Sequence, residues 1–352
     1  MKRVFALLLT VIMVMTLAAC GGKAGSQNTE TEKVFVPLFI DSVDGKYAEA
    51  IKAGAEDAAI DLNAEVVLCG PSKDVEGDFA TLAKAEMAKK PSAVAIASTV
   101  VKDAADIISE CSSKDIPVIG FGMGAVADAS FNANVYTDVS DAASLAARKI
   151  TSNYVTLTAL RTATPEQPAV IACVASQNNA DVISSFVNTI SEQSEAIQPG
   201  KVSIEGHEDW ANKIENASVI IRVAIAEDTS PNAISNVVIE NLEMDNLDTF
   251  FCVDTNILST LLSLTNKGAD LATRYPSVKA VSLYDGYTHK SAIRQGYLYG
   301  TVLNDQYQIG YKAVETAVKA ALDEEISDVE VDFTWVDSVN LLDDEIMLML
   351  YD

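Results

Sequence analysis

The chain has few cysteines, few histidines and few basic residues, and these shortages exclude several kinds of function. Its 352 residues include 5 Cys and 2 His, and 25 Lys+Arg stand against 50 Asp+Glu, for a formal net charge of -25. This charge would repel a phosphate backbone instead of releasing its counterions, so nucleic acid is excluded as a partner. The cysteines are scattered without a C-x-x-C pair, so we expect no disulfide framework, no metal site and no cofactor.

Proline and glycine are also scarce, at 9 and 17 residues, while hydrophobic residues make up 49% of the chain. This composition excludes collagen-like and largely disordered proteins. At roughly 150 residues per domain, the length predicts about two compact units. Beyond the N-terminal segment, charged residues interrupt every apolar run before it reaches the roughly 20 residues of a membrane span.

The N-terminal segment has the parts of a secretory signal. Lys2 and Arg3 precede an apolar stretch, which leads through small residues to Cys20. The tetrapeptide LAAC that ends at Cys20 resembles the lipobox of bacterial lipoproteins, which implies cleavage before this cysteine and attachment of lipid to it. We expect residues 1–19 to be a signal peptide and residues 20–33 a lipidated tether that holds the mature protein on the cell membrane, outside the cytoplasm. The alternative is an ordinary secreted protein whose cysteine falls there by chance.

From residue 34 onward, short apolar runs alternate with stretches of helical period. The runs VFVPLFI, EVVLC, AVAIA and PVIGF, the last ending at Phe121, are typical of strands buried on both faces of a parallel sheet. After VYTD (135–138) the pattern restarts with AVIACV, SVIIRVAI, TFFCV, VKAVSL and GTVL. This alternation predicts right-handed βαβ units, and hence an α/β fold of two similar, doubly wound parallel-sheet lobes.

The predicted lobes exchange segments through a hinge of three crossovers. The first lobe is expected to comprise residues 34–137 and 306–327, and the second lobe residues 138–305 and 328–352. The polar segment 201–216 is too long for an ordinary connection and forms either a flap or an extra hairpin. Its Trp210 is then a lid contact or a staple for that segment. His207 and His289 lie in polar stretches and are expected at the surface.

Known catalytic motifs give no support for an enzyme. Residues 120–125 fit G-x-G-x-x-A, but no periodic helix follows them, so a dinucleotide site is rejected. The chain contains no G-x-S-x-G, Walker A or H-E-x-x-H sequence. Two carboxylates can act as general acid and base, but without a nucleophile or metal cluster catalysis is the weaker interpretation.

Three aspartates mark the place where a ligand is expected. Asp41, Asp254 and Asp285 each follow the carboxyl end of a predicted parallel strand, where open α/β sheets bind their ligands. Singly, each is also a plausible helix N-cap. Tyr47 opens the first helix and supplies either a flat face over a ligand or the first residue of a core stripe.

These segments resemble the type I extracytoplasmic solute-binding proteins of ABC transporters, a group that includes ribose- and galactose-binding proteins. The resemblance covers almost the whole mature chain and is most specific in LYDG (283–286) and GTVLNDQYQIGYKAVETAVKAAL (300–322). It implies two lobes that close on a solute through a hinge, in a monomer that is not an enzyme and that presents the bound solute to an ABC permease.

The resemblance also assigns roles to single residues. It implies that Asp285 accepts hydrogen bonds from sugar hydroxyls with Asp254 beside it, that Asn304 is a hinge-proximal amide, and that Tyr47 stacks on the sugar. The acidic-arginine pair of the family falls on Phe121 and its neighbour, and the arginine of a second-lobe helix falls near two asparagines. The full set of expected ligand-binding residues is Asp41, Ser42, Tyr47, Phe121, Asn178, Asn179, Asp254, Asp285 and Asn304.

Without arginine forks, the expected site offers mainly acceptors, which suits a ligand rich in donors. A sugar is favoured, a nucleoside or an amine stays open, and an anion is disfavoured. Two other functions remain: a sensor lipoprotein that signals to a membrane receptor kinase, and, as a distant third, a secreted hydrolase.

Overall fold

The computed structural model describes residues 33–73, 77–128, 130–283 and 287–349, which contain two largely parallel β-sheets. The first sheet has the order β2-β1-β3-β4-β5-β12, and every neighbouring pair in it is parallel. Its strands are β1 (Phe35–Phe39), β2 (Glu65–Cys69), β3 (Val94–Ala97), β4 (Val118–Met123), β5 (Ala133–Thr137) and β12 (Val329–Glu330).

The second sheet has the order β7-β8-β6-β9-β10-β11-β13 and is parallel except for β13, which runs antiparallel to β11. Its strands are β6 (Ala169–Ala175), β7 (Val202–Gly206), β8 (Val219–Ile225), β9 (Leu247–Cys252), β10 (Lys279–Leu283), β11 (Gly300–Asn304) and β13 (Phe333–Val336). Apart from β7, β12 and β13, both sheets have the doubly wound strand order 2-1-3-4-5. The predicted fold class is confirmed.

Helices connect the strands and cover the sheets. Those of the first lobe are α1 (Lys46–Asp61), α2 (Phe79–Met87), a 3-10 turn (Ser98–Val100), α3 (Ala105–Ser113) and α11 (Gln306–Ala321). Those of the second lobe are α4 (Val139–Ser152), α5 (Tyr154–Thr162), α6 (Ala180–Ile197), α7 (Pro231–Leu242), α8 (Thr255–Leu264), α9 (Ala269–Thr273), α10 (Tyr287–Arg294) and α12 (Asp344–Met349). Among the described helices, none is long and apolar enough to cross a membrane.

Hydrophobic packing assigns the long C-terminal helix to the first lobe. Ile309, Ala313 and Val314 of α11 are fully buried in the core that also contains Phe39 of β1 and Ile51 of α1. The second lobe has one hydrophobic core on each face of its sheet. The described cysteines are free and buried in these cores, as a small apolar side chain would be.

Two crossovers between the lobes consist of a single residue each. Asp138 links Thr137 at the end of β5 to α4, and Asp305 links Asn304 at the end of β11 to α11. Each aspartate caps the helix it precedes: Asp138 accepts from the Ser140 backbone N–H and Asp305 from the third residue of its helix. Because both links leave the carboxyl end of a strand and enter a helix N-terminus, the carboxyl edges of the two sheets adjoin at these crossovers.

The third crossover lies later than the predicted boundary after residue 327. Val329 and Glu330 pair with β5 and therefore belong to the first sheet. The Val331 N–H extends this pairing by donating to the Tyr136 carbonyl at 2.8 Å. The change of lobe thus falls between β12 and β13, because strand pairing continues a few residues beyond the point where the helical pattern stops.

The segment 201–216 forms an edge strand with a returning loop. Strand β7 pairs in parallel with β8, and the backbone groups of Ile204 and Asn212 exchange hydrogen bonds of 3.0 and 2.9 Å. The Trp210 indole N–H donates to the Ser184 hydroxyl of α6 at 2.9 Å, while its ring lies 5.2 Å from that of His207. Trp210 therefore staples this loop to the second lobe.

Candidate functional site

Polar side chains at the carboxyl ends of β1 and β3 meet in the first lobe. Asp41 is exposed after β1, and its Oδ1 accepts from the Thr99 hydroxyl at 3.0 Å. The neighbouring Ser98 hydroxyl donates to the Met123 carbonyl at the end of β4 at 3.3 Å. We call these four residues, together with Tyr47, the first-lobe rim.

Tyr47 lies half-buried in the first turn of α1 and packs against the first-lobe core. Burial, and after it the negative charge of Asp41, raise the pKa of its phenol to about 12. The hydroxyl therefore keeps its proton at physiological pH. Tyr47 packs against the first-lobe core and brings a neutral hydroxyl close to Asp41, which supports the core interpretation. A ring face over a ligand stays a prediction.

Ser42, another expected ligand residue, makes a local hydrogen bond in the loop between β1 and α1. Its hydroxyl oxygen accepts from the Asp44 backbone N–H at 3.2 Å. The Asp44 carboxylate in turn accepts from the Lys73 backbone N–H at 2.7 Å. Ser42 thus helps fix the loop that carries Asp41.

Asp254 joins two strand ends of the second lobe. It is the N-cap of α8, and its Oδ1 accepts from the backbone N–H groups of Asn256 and Ile257 at 3.0 and 3.1 Å. Its Oδ2 accepts from the Ser176 backbone N–H, at the end of β6, at 2.7 Å. Asp254 therefore has the helix-capping role that the sequence offered as its alternative. An ionised carboxylate has about four lone-pair sites, so capacity for a further donor remains.

Asn178 and Asn179 lie exposed between β6 and α6, close in sequence to Ser176. Asn179 occupies the N-cap position of α6 without a capping hydrogen bond from its side chain. Both amides are therefore available to a solute at the carboxyl end of β6. We call Ser176, Asn178, Asn179, Asp254 and Asn256 the second-lobe rim.

Asn304 occupies the crossover between β11 and α11. Its side chain is buried, with 9% of the residue exposed, yet neither its Oδ1 nor its Nδ2 has a hydrogen-bond partner among the described residues. The hydroxyl of Thr137, at the end of β5, is also buried without a hydrogen-bond partner among the described residues. The same holds for the Oε1 of Gln306. Unpaired buried polar atoms are costly. These three residues lie at the two one-residue crossovers, while Thr156, Ser194, Thr249 and His289 carry such atoms elsewhere in the second lobe.

Besides Ser42 and Asn304, two expected ligand residues, Phe121 and Asp285, are not placed on the rims. Phe121 is 1% exposed and belongs to the first-lobe core, because it lies inside β4, which continues two residues further to Met123. Asp285 and the lipidation residue Cys20 lie outside the described residues. The rim residue in the place expected for Phe121 is Met123, to which no sequence motif pointed.

The electrostatic character of both rims is that of acceptors and neutral donors. No rim side chain is basic, and Asp41 and Asp254 contribute negative charge. In the part of the chain that the structure describes, no group of three His, Cys, Asp or Glu residues is suited to a metal ion. Such rims can hold hydroxyl, amide or ammonium donors by hydrogen bonds.

Sequence comparison assigns the family. A model of the periplasmic binding protein domain matches residues 36–325. The chain belongs to this family. The family acts outside the cytoplasm and consists of solute-binding proteins, so the predicted resemblance is confirmed. No curated protein sequence matches the chain significantly.

Solved structures agree with this assignment at the level of the fold. An ABC transporter protein of the LacI transcriptional regulator family from Brachyspira murdochii is 24% identical, with a TM-score of 0.69, covering 91% of this chain and 99% of that one. A carbohydrate transporter solute-binding protein from Agrobacterium radiobacter, in complex with D-arabinose, is 16% identical, with a TM-score of 0.56 and coverages of 91% and 99%. A mutant XylFII-LytSN complex matches at 19% identity, with a TM-score of 0.64 and coverages of 88% and 99%.

Proposed function

We propose that this protein binds a small polar solute, most readily a neutral sugar, between its two rims and delivers it to an ABC permease. The observation that carries the proposal is the placement of acceptor-rich rims on carboxyl edges that adjoin at one-residue crossovers. A solute between these edges would contact both lobes and would favour the state in which they are close together. The solved complex of a similar fold with D-arabinose supports a sugar as the first ligand class to test.

The acceptor-rich rims also favour neutral and cationic solutes over anionic ones. Asp41 and Asp254 suit hydroxyl or ammonium donors, whereas an anion would meet two carboxylates and no basic side chain among the rim residues. Nucleosides and amines also carry hydrogen-bond donors, so both classes are included in the ligand screen. We propose binding without turnover, so glycosides should be recovered intact.

A thermal-shift screen of the mature chain tests the proposal. The probes are D-arabinose, D-ribose, D-xylose, D-galactose, adenosine and putrescine, with D-galacturonate as the matched anionic control. A bound solute at 100 times its Kd should add roughly 2.7 kcal/mol to the free energy of unfolding. We expect a shift with at least one neutral sugar and none with D-galacturonate. A shift with D-galacturonate alone, or with no probe, would refute the proposal.

We further propose that the protein is held on the membrane through Cys20. Two acyl chains, at about 0.8 kcal/mol per buried CH₂, hold a protein stably on a bilayer. The Cys20→Ala variant should therefore leave the membrane fraction. If it stays there as completely as the parent, the lipid anchor is wrong.

A sensor that signals to a membrane receptor kinase is the second candidate function. The observation that favours it is the likeness to a fold solved as a complex of XylFII with a second protein, LytSN. Deletion of the gene separates the two roles. Delivery predicts loss of uptake of the bound solute, whereas sensing predicts intact uptake with loss of the transcriptional response to that solute.

A further inference from the structure

Strand β4 ends with an exposed methionine at the first-lobe rim. The four residues Val118 to Phe121 are buried, but Met123 is 51% exposed at the carboxyl end of the strand. Single exposed apolar side chains are common on protein surfaces and need no special account. Met123 differs by its place, because the rim it occupies carries the acceptors of the proposed site.

The backbone geometry around Met123 is fixed by contacts with the end of β3. Gly122 has φ of +126°, which L side chains rarely adopt, and a Cβ atom there would lie 2.8 Å from the Ser98 Oγ. The same hydroxyl donates to the Met123 carbonyl. A glycine therefore lets the two strand ends approach closely, and the hydrogen bond anchors the residue that follows.

The backbone of Met123 belongs to a continuous series of rim contacts. Ser98 holds Met123, its neighbour Thr99 donates to Asp41, and the Asp41 charge acts on the Tyr47 phenol. The rim thus combines one carboxylate acceptor and one phenol hydroxyl with an exposed methionine, whose side chain is flexible and polarizable. Methionine adapts its shape to irregular apolar surfaces and donates no hydrogen bond.

We propose that Met123 is a specificity-determining residue, whose side chain packs on the apolar C–H face of a neutral sugar while Asp41 accepts from its hydroxyls. This inference rests on the proposed function and narrows it, since the solute must present both a C–H face and hydroxyl donors. A solute that is polar on every side gains nothing from the thioether.

Calorimetric titration of three variants with D-arabinose, D-ribose, D-xylose and D-galactose tests this role. Met123→Gln keeps the length of the side chain but makes it polar, and Met123→Leu keeps it apolar. Met347→Gln is the matched control, since Met347 is 40% exposed on α12. For the tightest-binding sugar we expect about tenfold weaker binding by Met123→Gln, within threefold of wild type by Met123→Leu, and no change by the control.

The outcomes separate the two proposals. If no sugar binds the wild-type protein, the proposed function and this inference both fail. If a sugar binds the wild type and Met123→Gln binds it equally well, only the role of Met123 is wrong. Melting temperatures of the sugar-free variants should agree with the wild type, because an exposed side chain contributes little to folding.

Discussion

Asp254 illustrates how one side chain serves both local structure and the proposed site. Its three backbone donors come from α8 and from the end of β6, so it fixes the relative positions of two strand ends. The sequence indicated the position of this carboxylate but not its partners, because the Ser176 N–H comes from a distant segment. Aspartate is favoured at a strand end both as a helix cap and as a ligand acceptor, so the sequence alone does not separate the two roles.

Substitution of Asp254 tests the two roles separately. Asp254→Ala removes the cap and should lower the free energy of unfolding by about 1–2 kcal/mol, while Asp254→Ser, which retains a capping oxygen, should recover most of that loss. If the carboxylate also accepts from the solute, both variants should bind more weakly by about tenfold. Chemical denaturation and calorimetry measure the two quantities. Wild-type affinity in the serine variant would restrict Asp254 to its structural role.

His289 contradicts the expectation that both histidines lie at the surface. It is 4% exposed, and its Nδ1 has no hydrogen-bond partner among the described residues. Ala292 and Ile293, three and four positions later on α10, are buried in the second-lobe core. The sequence hid this burial because most residues of α10, whose sequence is YTHKSAIR, are polar.

The buried His289 should make stability depend on pH. Burial lowers the pKa of His289 from 6.5 to about 4, so between these values the unfolded chain binds a proton that the folded protein does not. The free energy of unfolding should fall as the pH drops from about 6.5 to about 4, by up to roughly 3 kcal/mol from this group.

Denaturation from pH 7 to pH 4 checks this effect. His289→Leu should lose its share of the pH dependence, whereas His207→Gln, which changes the half-exposed histidine, should keep it. Equal pH profiles for wild type and His289→Leu would contradict the prediction.

At the scale of elements, strands were easier to predict than the segments around their ends. The run AVAIA covers β3, whose four residues are all buried, because a buried parallel strand is a continuous apolar run. The predicted PVIGF stopped two residues short of the end of β4, since the glycines that follow Phe121 are depleted in strands. Because the predicted strand was too short, the sequence placed Phe121 at the site and did not indicate Met123. The two-residue strand β12 is too short to leave a periodic signal.

Helices α1 and α11 pack backbone against backbone, which the sequence pattern did not reveal. A Cβ atom on Gly54 would lie 1.9 Å from the Tyr307 carbonyl oxygen, and one on Gly310 would lie 2.0 Å from that of Ile51. These contacts join the first helix of the lobe to the helix that returns from the other lobe. Close packing of α11 therefore depends on two glycines.

We expect Gly54→Ala to destabilise the protein although alanine is the better helix former. The added methyl group must push α1 and α11 apart, at a cost of about 1–3 kcal/mol, which exceeds the gain of about 1 kcal/mol in helix propensity. Thermal or urea denaturation measures the difference. Lys52→Ala, at an exposed position of the same helix, is the control. A Gly54→Ala variant as stable as wild type would show that the helices are free to separate.

At the scale of the whole molecule, the crossovers organise the proposed site. Alternation of strands and helices was enough to predict two lobes, since each βαβ unit is a local pattern. The burial of Asn304, Thr137 and Gln306 was not predictable, because the sequence pattern does not show which polar side chains next to the strand ends are covered. Polar groups left unpaired at such a junction lower the stability of the free protein, and hydrogen bonds to a bound solute can offset this loss.

Asn304→Leu tests most directly whether these crossovers bind the solute. Calorimetric titration with the best sugar of the screen should give a Kd at least about tenfold higher than that of the wild type. The melting temperature of the sugar-free variant should stay the same or rise, because an unpaired buried amide has been replaced by an apolar side chain of similar size. Wild-type affinity in the Asn304→Leu variant, or weakened binding together with a marked loss of stability, would contradict a solute site at the junction of the lobes.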